Sequence, residues 1–328
     1  MQRRLGSPLA SRVVRAGADA GSKSQTGMNA FTNNLKTWTL LAALGGLLVA
    51  VGGLIGGQSG ILIALGFAVL LNGVVYWKSD SLALRANGAR ELRADEAPRL
   101  RAIVGSLAAS AGIPMPRLYV VDRPEPNAFA TGRDPEHAAV AVTTGILQAM
   151  DERQLRGVLA HELAHVRNRD TLVGTVAATI GGAISALAQM GQFALIFGGR
   201  DEDEGGNPFG ALLAIILAPI AALVIQLAVS RGREYLADRS GAALTRDPDG
   251  LASALEVLEA ESHRRTEGVR AVFGRRGGSA PAPAPALNPA FAHLYIANPL
   301  SGRELGGLFS THPPIRERVR RLRTMRTA

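Results

Sequence analysis

Two histidines four residues apart with a glutamate after the first, His161-Glu162-Leu163-Ala164-His165, are the residues of this chain best placed to do chemistry. On a helix, positions i and i+4 lie on one face, so both imidazoles can reach a single ion. Glu162 then points about 100° away, beside an open coordination position, where its carboxylate can take a proton from water. The neighbouring residues support a helix: Leu155, Val158, Leu159, Leu163 and Val166 form an apolar stripe, and Asp151 with Gln154 has the spacing of a capping box. The competing reading is a surface helix with two incidental histidines. The chain has six His and no Cys, so thiol nucleophiles, disulfides and Cys-held zinc are excluded, and any metal must be held by His and carboxylates.

The elements that must position these groups are largely apolar. Of 328 residues 47% are hydrophobic and 19% charged, and 38 are Gly; the mean hydropathy is +0.13. Global disorder is excluded, and the balance leans towards a membrane protein. Between Lys36 and Lys78 run 41 residues without a charge. As one helix they would extend about 60 Å, twice the hydrocarbon core, so two spans are expected, at 38–55 and 61–77. The break is Gly56-Gly57-Gln58-Ser59-Gly60, and Trp38, Tyr76 and Trp77 sit at levels suited to an interface belt. A second uncharged pair, 171–199 and 208–230, flanks the acidic loop Arg200–Gly206; buried helices of a soluble protein are the alternative for it.

Charge in the loops gives an orientation. The N-terminal arm is basic, the first loop neutral, the stretch after Trp77 basic, the second loop acidic and the stretch after Ser230 basic. Four spans with both termini in the cytoplasm should show this order. The formal net charge of +9 belongs to the two ends, +4 in residues 1–30 and +5 in 315–328. Basic tails on an apolar chain fit anionic headgroups better than nucleic acid, which would be met by a basic, aromatic-bearing folded surface. The predicted organisation is a disordered basic arm (1–30), a transmembrane hairpin (31–77), a catalytic part (78–170), a second hairpin (171–230), and a second catalytic part (231–328) with a flexible Gly/Ala/Pro-rich loop at 275–289. The soluble part should carry a helix from Asp95 to Ala111 and short strands at Arg117–Val121, Asn127–Thr131 and His137–Thr143. The fold class is therefore α+β, mostly helical, with four transmembrane helices and a cytoplasmic domain that holds a small sheet and the His161–His165 helix.

A catalytic zinc needs a third protein ligand and an open position. His165 lies six residues before Thr171 and Glu234 four after Ser230. If the intervening helices form a hairpin, both emerge at one membrane face, each within about 10 Å of it. Glu234 is followed at i+4 by Asp238, which could accept a His N–H and fix its tautomer. An ordinary ion pair of Glu234 with Arg231 or Arg233 is the alternative.

From about Asn29 to Thr324 the chain resembles the HtpX family of integral-membrane zinc metalloproteases, relatives of the CaaX prenyl-protease. The resemblance rests on Asn127-Ala128-Phe129-Ala130-Thr131-Gly132, on His161–His165, on Arg233-Glu234-Tyr235-Leu236-Ala237-Asp238 and on Thr311-His312-Pro313-Pro314. It implies that His161, His165 and Glu234 bind one Zn2+, that Glu162 is the general base acting on a zinc-activated water, and that Asp238 supports the ligands. It also implies a protease of membrane-protein quality control in the bacterial inner membrane, acting on unfolded or membrane polypeptides from the cytoplasmic side. Departures from the family are the long N-terminal arm and the Arg275–Pro289 insertion. For His312 it implies a role in stabilising the tetrahedral intermediate, with Arg318 as a partner; a structural histidine is the alternative. Asn127 either donates to a substrate carbonyl or oxyanion from an edge strand, or is a turn residue after Glu125-Pro126. His137, His263 and His293 read as non-catalytic.

Three rivals are weaker. An intramembrane protease with the same five-residue motif would need it inside a span, but Arg153, Arg156, Arg167, Arg169 and Asp170 flank it. The Asp247-Pro248-Asp249-Gly250 stretch, which such an enzyme could use as a ligand, reads as a turn and helix N-cap. A scaffold with a dead site would not need the full ligand set and base, and a transporter would show charge within its spans.

Overall fold

The computed structural model describes residues 8–181, 184, 231–274, 296 and 313–325. Most of the second apolar pair, the Arg275–Pro289 loop and His312 lie outside the described residues.

The long apolar stretch folds back on itself. Helix α1 (Pro8–Ala86) reverses at Gly57, whose φ of 56° and ψ of −138° break the helix and which, having no Cβ, takes that conformation at no steric cost. The two arms then run side by side. Trp38 stacks on Tyr76 with ring centroids 5.6 Å apart, and Asn72 Nδ2 donates to the Leu41 carbonyl at 3.0 Å. The first arm begins at Pro8, inside the segment expected to be an irregular basic tail. Among the described residues one helix, Gly56–Ala86, is long and apolar enough to cross a membrane, with a mean hydropathy of 2.0. It is not a core helix: Ile63 is 74% exposed and Leu70 72%.

Beyond α1 the chain builds a four-stranded sheet in the order β1-β2-β4-β3. These are β1 (Ala89–Glu91), β2 (Arg117–Val121), β3 (Ala128–Thr131) and β4 (Ala139–Thr143). The β2–β4 pair is parallel and the β1–β2 and β3–β4 pairs antiparallel, so β1 and β3 are the edge strands among the described residues, and β3 is buried. Alternation separates two faces. Leu118, Ala128, Ala130, Val140 and Val142 join the main core, whereas Tyr119, Val121, Phe129, Ala139 and Ala141 meet Leu84 of α1.

The main core is closed by α2 (Pro98–Ala111), α3 (Thr144–Ala149), α4 (Glu152–Arg167), α6 (Arg231–Thr245), α7 (Pro248–Gly274) and α8 (Ile315–Thr324). A shorter apolar helix, α5 (Thr171–Gly181), follows α4 and packs Leu172, Val173, Val176 and Ile180 on Leu40, Leu41 and Val75 of α1. Helix α4 starts with the expected capping box of Asp151 and Gln154. Asp247 caps α7, accepting from the Gly250 N–H at 3.1 Å, and grips Arg153 of α4 through two hydrogen bonds of 2.5 and 2.7 Å. The Asp247–Gly250 turn thus serves helix packing.

Several boundaries moved for local reasons. The expected helix at Asp95 begins at Pro98, because Ala97 before the proline takes a left-handed conformation. The expected strand at His137 begins at Ala139, since Pro135–His137 form a 3-10 turn capped by Asp134.

Helix α6 lies close against α4. A Cβ on Gly241 would fall 2.9 Å from the His161 backbone nitrogen and 3.1 Å from its Cα. Gly241→Val is therefore expected to lower stability by about 1–3 kcal/mol through overpacking, measured as a shift of the chemical-unfolding midpoint. An unchanged midpoint would contradict this close approach.

Candidate active site

The α4–α6 contact brings three donor groups to one point. His161 and His165 share a face of α4, their Nε2 atoms 3.1 Å apart. Glu234 reaches them from α6, with Oε2 3.7 Å from His161 Nε2 and Oε1 3.7 Å from His165 Nε2. All three ligand atoms lie within 4.8 Å of one another. Tetrahedral coordination with bonds of about 2.1 Å separates ligand atoms by about 3.4 Å, and the observed spacings bracket that value. The donor set, two imidazoles and a carboxylate, is one that zinc takes in catalytic sites. Charge points the same way. Four buried carboxylates (Glu162, Asp170, Glu234 and Asp238) face one buried guanidinium and two imidazoles, a deficit of positive charge even with one imidazole protonated. The residues present fit a divalent cation.

Each group in the cluster is held from behind. Asp238, one turn after Glu234, places Oδ1 3.0 Å from His161 Nδ1; an N–H donated there leaves the Nε2 lone pair facing the ligand cluster. Asp238 is itself clamped by Arg318 of α8, which is fully buried and donates from Nε at 2.9 Å and Nη2 at 2.7 Å. Burial opposes ionisation of Asp238, but the Arg318 guanidinium outweighs it and brings the carboxyl down to about 2. Burial pushes the His161 imidazole below its ordinary value against the pull of Asp238, which favours the neutral ring.

His165 is held by a different carboxylate: Asp170 Oδ1 lies 3.0 Å from its Nδ1. Burial alone would lower His165, yet Asp170, with Glu234 and Glu162 adding, holds it up at about 10. Glu162 accepts a hydrogen bond of 2.9 Å from the Ala130 N–H on the outer edge of β3. Burial, with the nearby Glu234 charge adding, raises its carboxyl to about 8.

The structure thus brings together His161, Glu162, His165, Glu234 and Asp238. Asn127 immediately precedes β3, about 10 Å along the strand from Ala130. Its Oδ1 accepts from the Ala128 N–H at 2.8 Å, while its Nδ2 has no hydrogen bond to another described residue. Three contributors escaped sequence reasoning. Asp170 read only as one of the charges around the motif, although a carboxylate just past the helix carrying a histidine pair is a usable signal. The Arg318–Asp238 clamp joins residues 80 positions apart, and the Ala130 N–H is backbone, so neither leaves a local trace.

Comparison with known proteins gives the family. Residues 94–326 match the model of Peptidase family M48. The "Protease HtpX homolog" of Persephonella marina is 51% identical over 294 residues, covering 89% of this chain and 97% of that protein. The protein of the same description from Syntrophobacter fumaroxidans is 48% identical over 297 residues, covering 89% and 99%, and that from Ralstonia pickettii is 50% identical over 294 residues, covering 89% and 96%. Among solved structures, that of S. mikatae Ste24p matches with a TM-score of 0.44 and 17% identity over 90% of this chain and 66% of that one, a likeness too distant to add to the assignment. A family match across more than two thirds of the chain and relatives near half identity along most of its length carry one conclusion: the chain belongs to peptidase family M48, among the HtpX proteases, and is a metalloprotease.

Proposed function

We propose that the chain is a zinc-dependent membrane endopeptidase that cleaves misfolded or damaged proteins, membrane proteins among them, from the cytoplasmic side. The observation that carries this is the convergence of His161, His165 and Glu234 within 4.8 Å beside a buried Glu162. His161, His165 and Glu234 would hold the zinc. When bound, zinc supplies positive charge that polarises a scissile carbonyl, acidifies water and draws the neighbouring Glu162 and His165 pKa values down. Glu162 is the base. Its carboxylate takes the proton of the attacking water and delivers it to the leaving amine. The Ala130 N–H fixes one carboxylate oxygen, Oε2, so the other is the oxygen open to proton transfer. Asp238 orients His161.

As an edge strand beside the base, β3 is where an extended substrate would add its backbone to the sheet. Asn127 Nδ2 is available there to donate to a substrate carbonyl or to the oxyanion, and His312 is the second candidate for that role. Membrane attachment is supported by the exposed apolar arm Gly56–Ala86. Four spans with both termini and the active site in the cytoplasm follow from the loop charges, basic, neutral, basic, acidic, basic.

Glu162→Gln keeps the shape of the side chain and removes its basicity. Casein cleavage by the detergent-purified variant is expected to fall by about 10²–10⁴-fold with zinc content unchanged; cleavage at the wild-type rate would sink the assignment of the base. A second expectation concerns pH. His165, held up at about 10 without a cation, is protonated at neutral pH and must lose that proton before its Nε2 can bind metal. Zinc affinity should therefore rise with pH from 6 to 9, with about one proton released from His165 per zinc and, below the Glu162 value of about 8, a second from Glu162. Calorimetry in buffers of different ionisation enthalpy reads this directly, and a proton-neutral, pH-independent uptake would contradict it.

A further inference from the structure

We infer that Asp170 is a positioning residue for His165, and that the segment Asp170–Thr175 ties the zinc ligand and the edge strand to the helix that packs on the membrane hairpin. The inference rests on the proposed zinc site and extends it. Asp170 is 5% exposed. Its Oδ1 lies 3.0 Å from His165 Nδ1, and its Oδ2 is buried with no hydrogen-bond partner among the described residues. A buried carboxylate is costly unless something needs its charge, and the group it faces is His165.

The backbone repeats the contact. The Asp170 N–H donates to the His165 carbonyl at 3.2 Å, and the intervening Arg169 takes a φ of 55° to let the chain turn. Asp170 is thereby placed under the outer nitrogen of the ring, leaving Nε2 aimed at His161 and Glu234. An imidazole so held can turn neither its ring nor its tautomer without losing the carboxylate.

The next residues bind the same segment to β3. Thr171 Oγ1 donates to the Gly132 carbonyl at 2.9 Å. Thr175 Oγ1 lies 2.9 Å from Thr131 Oγ1 at the end of the strand, one residue past the Ala130 N–H that holds Glu162. Both contacts are buried. On the far side of α5, Leu172, Val173, Val176 and Ile180 pack against Leu40, Leu41 and Val75 of the hairpin. One helical turn therefore holds His165 through Asp170 and braces the Glu162 strand through Thr171 and Thr175, while its apolar side rests on α1. Asp238, held by Arg318, faces the Nδ1 of His161, so each ligand histidine is oriented by its own carboxylate.

The test is a zinc titration against a chromophoric chelator with full-length, detergent-purified wild type, Asp170→Asn and Asp170→Ala. Cobalt-substituted spectra and casein turnover at saturating zinc are recorded on the same samples. Asp170→Ala is expected to bind zinc about 10–100-fold more weakly, with a shifted cobalt spectrum and a reduced kcat at unchanged KM; Asp170→Asn should fall between it and the wild type. Thr175→Val is expected to lower kcat with zinc affinity retained, because it loosens β3 and not His165. Should Asp170→Ala fail to fold, the isosteric Asp170→Asn decides. Wild-type zinc affinity and cobalt spectrum in folded Asp170 variants would overturn this inference alone. A wild type that binds no zinc would overturn the reading of the site, and this inference with it.

Discussion

The rest of the molecule depends on the contact of α4 with α6 at Gly241, where two helix backbones approach until no side chain fits between them. That contact carries Glu234 and Asp238 to the histidine face of α4 and strips water from all of them. Stripping water from carboxylates is costly, so each must be answered by an opposite charge or a donor. Arg318 answers Asp238, His165 answers Asp170, and the Ala130 N–H answers one oxygen of Glu162. The remaining negative charge gathers at the point between His161, His165 and Glu234, which is a good description of a cation site. Packing and electrostatics meet here: the close approach of the helices gathers the carboxylates whose charge suits a cation.

The same constraint accounts for the layout around the site. The sheet offers its edge strand to α4, so backbone β3 supplies the donor that holds the base. Helix α8 supplies the guanidinium from near the C-terminus, and Asp170, just before α5, supplies the carboxylate. Residues 130 to 318 are thereby drawn into one cluster by three helices, a strand and the turn before α5.

Much of this was legible in the amino-acid order. The two histidines at i and i+4, the capping box at Asp151 and the apolar stripe of α4 all follow from local periodicity, which a helix preserves. The reversal at Gly57 was legible because 41 uncharged residues cannot make a single span. The pairing of Glu234 with His161 across 73 positions was reachable only by supposing a hairpin between them. Strand β1 and helix α3 were missed because three and six residues are too few to show a period. Asp170 was misjudged for another reason. A charged side chain reads as a surface feature until the fold shows that it is buried, and burial is a property of packing, which local spacing does not encode.

The most direct measurement is zinc K-edge X-ray absorption on the zinc-loaded full-length protein and its Glu234→Ala variant. The account predicts two imidazole nitrogens and a carboxylate oxygen from the chain at about 2.0–2.2 Å in the wild type, with the carboxylate contribution lost in the variant. A first coordination shell that is the same in both proteins, or one that contains a single imidazole, would contradict it.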